Sequence, residues 1–183
     1  MLCPSRKGET GTVNINRILQ ERLNPHRAAK KEITTQGRIL REGDKVMQIK
    51  NNYDIRWHTD DKTGEGVFNG DIGTLLAIDF KDGVMTILFD DRKAVYPLES
   101  AMELEHAYAV TVHKSQGNEF NCVIMPVFNV IEQLSYRNLL YTAVTRAKSL
   151  MIIAGRGSDV KRMIDNNKKT RRFSALRYLL EDE

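Results

Sequence analysis

The chain has 183 residues, of which 41% are apolar, and a formal charge of +4, which suits one ordinary core or one core with a small insert. No apolar run approaches the roughly 18 to 20 residues of a membrane span, and the start Met-Leu-Cys-Pro-Ser-Arg-Lys lacks the long apolar stretch of a signal peptide. Only Cys3 and Cys122 are present, without metal spacing, so two reduced thiols in a cytoplasmic protein are expected, with Cys122 buried in a strand.

In chain order, residues 2–4 look like a strand stub, followed by a glycine-bearing loop over 5–11 and a helix to about Leu23. Ile15, Ile18, Leu19 and Leu23 give that helix an apolar face, and Asn24-Pro25 stops it because the residue before proline disfavours the helical region. Residues 26–41 are polar and basic without periodicity and read as a linker. Residues 44–50, 74–80, 84–89 and 92–96 then read as short strands, with a tight Asp82-Gly83 hairpin, so a small antiparallel barrel is expected. Gly70 and Gly73 are expected to supply turn geometry. Between the strands, residues 55–66 form a polar excursion whose Trp57 either stacks on a base or covers the barrel edge.

Past the insert, residues 107–112, 122–128 and 150–154 are continuously apolar, the pattern of strands buried on both faces of a parallel sheet with helices around it. The first of these breaks into the turn Thr111-Val112-His113-Lys114-Ser115-Gln116-Gly117-Asn118-Glu119-Phe120, whose polar groups and glycine suit an anion. About twenty residues later, Tyr136, Leu139, Leu140, Ala143, Val144 and Ala147 mark a helix stripe from which Arg146 falls away, toward a cleft. A helix over 159–166, the basic run 168–172 and a helix over 174–180 complete the reading. Charge gathers at the ends: residues 1–42 carry 9 basic against 4 acidic side chains, and residues 156–172 carry 7 against 2. This is either a positive face for phosphates or a solvated surface.

The pair HKSQG and YTAVTRA resembles motifs V and VI of superfamily 1 helicases, in the RecD-like form. The pattern P-x-R-x-G-x-x-G of residues 4–11, with Asn16 and Gln20 on the following helix, resembles motif IV. Asn51-Asn52-Tyr53-Asp54 and Asn69-Gly70-Asp71-Ile72-Gly73 resemble signatures of the Src-homology-3-like (SH3-like) barrel inserted in RecD-like helicases. The resemblance implies an α/β fold: a RecA-like parallel sheet flanked by helices, with a small antiparallel β-barrel insert. Residues 1–36 and 102–183 would form the RecA-like domain and 37–101 the barrel.

For the intact enzyme the resemblance implies that Arg146 is the catalytic arginine finger. Arg6, Gln116, Gly117 and Glu119 would bind nucleotide with it, although Arg6 also reads as a solvated loop residue. Thr111, His113, Lys114 and Ser115 would bind single-stranded DNA, and translocation would run 5′ to 3′. A Walker A loop, GxxxxGK[ST], and an acidic metal-binding motif are not found in the sequence. A fragment, inactive alone, is therefore expected, with ATP and Mg2+ bound mainly by an N-terminal RecA-like domain of the same full-length chain. No protein metal site and no membrane partner are expected. Two alternatives stay open: the helicase half of a conjugative relaxase, and a non-catalytic nucleic-acid-binding or interaction module.

Overall fold

The structure, a computed structural model, describes residues 1–167. The basic run 168–172 and the expected helix over 174–180 lie outside the described residues. Strand β1 (Leu2–Cys3) passes through a loop into helix α1 (Thr12–Leu23). The loop carbonyls of Ser5 and Arg6 accept the N–H groups of Thr12 and Val13, so two of the helix's unpaired N-terminal donors are satisfied locally. The helix ends at Asn24, next to Pro25, as expected. Its buried face is not. Thr12, Asn16 and Gln20 are buried, whereas Ile18 and Leu23 are exposed and Ile15 and Leu19 are half-buried. Asn16 and Gln20 face inward because their amides bond the backbone of neighbouring elements.

Residues 26–41 contain a hairpin where a linker was expected. Strands β2 (Glu32–Thr35) and β3 (Arg38–Arg41) pair antiparallel through a turn at Gln36 and Gly37, both at positive φ (46° and 73°). Next come β4 (Lys45–Gln48), β5 (Asn52–His58), β6 (Thr63–Val67), β7 (Ile72–Asp79), β8 (Val84–Phe89) and β9 (Arg92–Pro97). A 3-10 turn at Leu98–Glu103 leads to β10 (Leu104–His106). Seven of these strands form one antiparallel sheet in the order β10-β4-β7-β8-β9-β5-β6.

The sheet wraps around Val46, Ile55, Leu75, Met85, Ile87, Phe89, Tyr96 and Leu104, and the hairpin adds Leu40 and Ile33. Strand β8 shows the alternation that builds this core: Met85, Ile87 and Phe89 point in and their neighbours do not. Burying such a side chain stabilises the fold by roughly 1.5–3 kcal/mol.

Strands β5 and β6 replace the expected polar excursion. Trp57 lies half-buried against the core, with the Arg92 guanidinium 5.5 Å from its ring centre and Gly64 so close that a Cβ there would meet the indole. It sits on β5 between β9 and β6, with its indole against the core rather than at the sheet edge. Gly70 does adopt a left-handed conformation (φ 101°), but Gly73 lies inside β7. There it is required for space, since a Cβ would fall 2.6 Å from the Leu88 carbonyl oxygen.

The remaining elements are β11 (Val110–Thr111), β12 (Phe120–Pro126), helix α2 (Arg137–Val144), β13 (Ala147–Ala154) and helix α3 (Gly157–Asp165). The parallel sheet appears as two hydrogen-bonded pairs, β1 with β11 and β12 with β13, β1 lying against β12. Val123, Met125, Met151 and Ile153 face a core shared with Leu139, Leu140 and Ala143 of α2 and Met163 of α3.

Burial on both faces does not hold for β12 and β13. Cys122, Ile124, Leu150 and Ile152 line the opposite face and are exposed, so the expected burial of Cys122 is overturned by strand alternation.

Candidate functional site

The polar turn begins where β11 ends. Its shape is set by backbone bonds: Ser115 N–H donates to Thr111 O, Gln116 N–H to His113 O and Asn118 N–H to Ser115 O, at 3.0–3.3 Å. Lys114 N–H donates to Thr111 Oγ1 at 3.2 Å. Gly117 sits at φ 89° with open space around it, so its role is conformational. Val112 is buried and anchors the turn, while His113, Lys114, Gln116, Gly117 and Glu119 are exposed. Ser115 differs from the rest of the expected DNA-facing set. It is buried, and its Oγ donates to Val112 O at 2.7 Å, closing the turn from inside.

Arg146 lies beside the far end of this turn. Its Nη1 donates to Asn118 O at 3.2 Å, and its own carbonyl accepts Phe120 N–H at 2.8 Å. Its Nε is buried and has no hydrogen-bond partner among the described residues. Helix α2 stops at Val144, earlier than the stripe through Ala147 suggested. Ala147 instead opens β13 opposite Phe120, so strand pairing rather than a helix face fixes the position of Arg146. Glu119 and Lys148 form an exposed ion pair at 3.3 Å across the start of the same two strands.

Lys114 points the other way, to Glu105. The two carboxylate oxygens of Glu105 gather three cations: Arg6 Nη2 at 2.8 Å, Arg38 Nη1 at 3.3 Å and Lys114 Nζ at 2.9 Å. Burial pushes the Glu105 carboxyl up, but Lys114, Arg6 and Arg38 outweigh it and hold its pKa below the usual value. Arg6 therefore lies with Lys114, at the end of the turn away from Arg146. These groups line a cleft of about 680 Å³ between the α1 loop, the β2–β3 tip and Thr111.

Behind the cleft, two polar anchors tie α1 to the rest of the chain. Asn16 accepts Ala109 N–H at 2.7 Å and donates to Ala109 O at 2.8 Å, clamping the segment that enters the turn. Asp44, fully buried, accepts from Gln20 (2.6 Å), Asn24 (2.7 Å), Arg41 N–H (2.8 Å) and Tyr108 OH (2.8 Å), with His106 Nε2 at 3.4 Å. Burial raises its pKa, and the bonds from His106, Asn24, the Arg41 N–H and Tyr108 lower it further than burial lifts it.

Glu105, Arg38 and Asp44 escaped the reading of the sequence. A lone glutamate in Leu-Glu-His carries no signal, but the Gln36-Gly37 pair before Arg38 marks a turn.

Comparison with known proteins agrees with this two-part geometry. Residues 15–89 match the ATP-dependent RecD-like DNA helicase SH3 domain, and residues 106–154 match the UvrD-like helicase C-terminal domain. A Bacteroides Pif1 helicase, solved bound to single-stranded DNA, superposes with a TM-score of 0.55 at 16% identity, over 99% of this chain and 43% of that one. The fold is thus that of the RecA-like C-terminal part of a superfamily 1 helicase, carrying an SH3-like insert.

Within that class, the chain is 31% identical to the ATP-dependent RecD2 DNA helicase of Deinococcus radiodurans, over 86% of this chain and 20% of the relative. It is 30% identical to the RecBCD enzyme subunit RecD of Mycobacterium tuberculosis, over 99% of this chain and 28% of the relative. The chain belongs with the C-terminal part of the RecD-like helicases, and it spans about a fifth to a quarter of the length of these relatives.

Proposed function

We propose that this chain is the C-terminal motor segment of an ATP-dependent RecD-like DNA helicase moving 5′ to 3′, completed by an N-terminal RecA-like domain. The observation that carries this reading is the polarity of one turn: Arg146 adjoins its Asn118 end and Lys114 its Thr111 end. Gln116, Gly117 and Glu119 then line the nucleotide side of a cleft between domains, and Arg146 reaches the γ-phosphate as arginine finger. Its half-buried guanidinium, with a buried Nε lacking a partner among the described residues, fits an anion better than a solvated ion pair. ATP and Mg2+ are assigned mainly to that N-terminal domain, where the metal would supply charge to offset the transferring phosphate.

Thr111, His113 and Lys114 face single-stranded DNA, and Ser115 keeps their turn in shape. Since one turn serves both ligands, closure of the two domains on ATP shifts the grip on the strand. In the full-length enzyme, Arg146→Ala should lower ATP hydrolysis by about 10³-fold or more while single-strand binding survives. Near-normal hydrolysis in a steady-state phosphate-release assay would remove the finger assignment.

A further inference from the structure

The three cations around Glu105 come from three separate parts of the fold: Arg6 from the loop after β1, Arg38 from the hairpin tip and Lys114 from the polar turn. Glu105 itself is fixed by sheet pairing, opposite Met47 in β4. One carboxylate neutralises one of these charges and leaves a formal excess of two. Five cationic side chains line the cleft, Arg6, Lys7, Arg17, Arg38 and Lys114, against Glu21 and Glu105. Each guanidinium also keeps N–H donors beyond those given to Glu105.

We propose that this cleft is a seat for one backbone phosphate of the nucleic-acid strand, bound by Arg6, Arg38 and Lys114 while Glu105 holds the three cations together. The inference rests on the strand-binding reading of the turn and extends it in two ways. Arg6 joins the strand side, and the β2–β3 hairpin, read as a linker in the sequence, becomes part of the DNA track. The phosphate accepts from the outward N–H groups, and Glu105 retains the inward ones. Thr111 lines the same cleft, so the seat is continuous with the DNA-facing end of the turn.

The test is anisotropy of a fluorescein-labelled oligothymidine with the full-length helicase across a KCl series. Arg38→Gln should weaken binding several-fold at low salt and reduce the slope of log K against log[KCl] by about 0.7, the value for one phosphate on a single strand. Arg6→Gln should behave alike. Arg56→Gln, on an exposed arginine of β5 away from the cleft, should leave the slope unchanged.

Slopes equal to wild type for both Arg38→Gln and Arg6→Gln, with wild-type binding intact, overturn the seat alone. Absence of oligothymidine binding by the wild type overturns the strand-binding reading as well. Displacement of the oligothymidine by poly-glutamate of matched charge at equal potency overturns the seat in favour of an acidic protein partner.

Discussion

The two halves of this chain close their cores differently. The antiparallel unit encloses Leu75, Met85, Ile87, Phe89 and Tyr96 at 0–1% exposure, and the Arg92 guanidinium lies over its half-buried Trp57. The parallel unit packs α2 and α3 on one face of β12 and β13 and leaves Ile124, Leu150 and Ile152 at 36–52% exposure on the other. Antiparallel strands joined by short turns finish a core from local sequence. Parallel strands need crossover elements on both faces, so the second unit is the one whose stability depends on whatever covers it.

The sharpest way to break this contrast is to hollow out the closed core. Phe89→Ala should cost about 3–5 kcal/mol, because both its transfer energy and the cavity it leaves count. Urea denaturation of the 183-residue chain measures this, and a cost below about 1 kcal/mol would mean that the antiparallel core is loosely packed.

A smaller effect is expected at Asp44, which joins the two halves. Asp44→Asn keeps the shape but trades an acceptor for a donor, so at least one of the Gln20, Asn24 and Tyr108 donors loses its partner, at about 1–3 kcal/mol. The folded carboxyl has a depressed pKa, so its contribution is present above the unfolded value of about 3.9 and is lost as pH falls through the folded value. The difference in stability between wild type and Asp44→Asn, measured by denaturant at pH 7 and again below pH 4, should therefore shrink with acid. A gap that widens with acid would remove Asp44 as the ionised acceptor.

The smallest effects belong to the open face. Leu150→Ala should change the stability of the chain by no more than about 0.5 kcal/mol, as at other exposed positions. A cost of 2 kcal/mol in the same denaturation experiment would show that this face is covered. Cys122 should react with a thiol reagent in the folded chain, whereas Cys3, buried and with its pKa pushed up to about 11, should react only after denaturation. Two fast thiols in native protein would contradict the burial of Cys3.

What the sequence made legible follows the same contrast. Strand 84–89 could be bounded to the residue because Met85, Ile87 and Phe89 alternate and Asp-Gly marks the turn before them. The β2–β3 hairpin could not, since only Ile33 and Leu40 of its eight strand residues contact the core and the rest are polar or exposed. Tyr53, Ile55 and Trp57 did alternate in β5, a signal masked by the charged residues between and after them.

At the site, the turn and Arg146 were readable as types in order. The position of Arg6 and the role of Glu105 were not, because both depend on contacts about a hundred residues apart in sequence. Asn16 and Gln20 on α1 stand out only through the motif IV pattern, while the apolar stripe of Ile15, Ile18, Leu19 and Leu23 marks a different face as the buried one. The two amides are buried because their carbonyl and amide groups take the place of backbone partners that α1 could not otherwise bring to Ala109, Ile39 and Asp44.

The pairing of Phe120 with Ala147 has one more consequence. The bend that ends at Glu119 and the arginine that precedes Ala147 are stitched to the first rung of a single ladder, so their separation is inherited from strand register. The segment between β12 and α2 does not set that spacing, because the rung itself does. Rigid-body swings of the lobe then carry both groups together, like two teeth cut in the same edge.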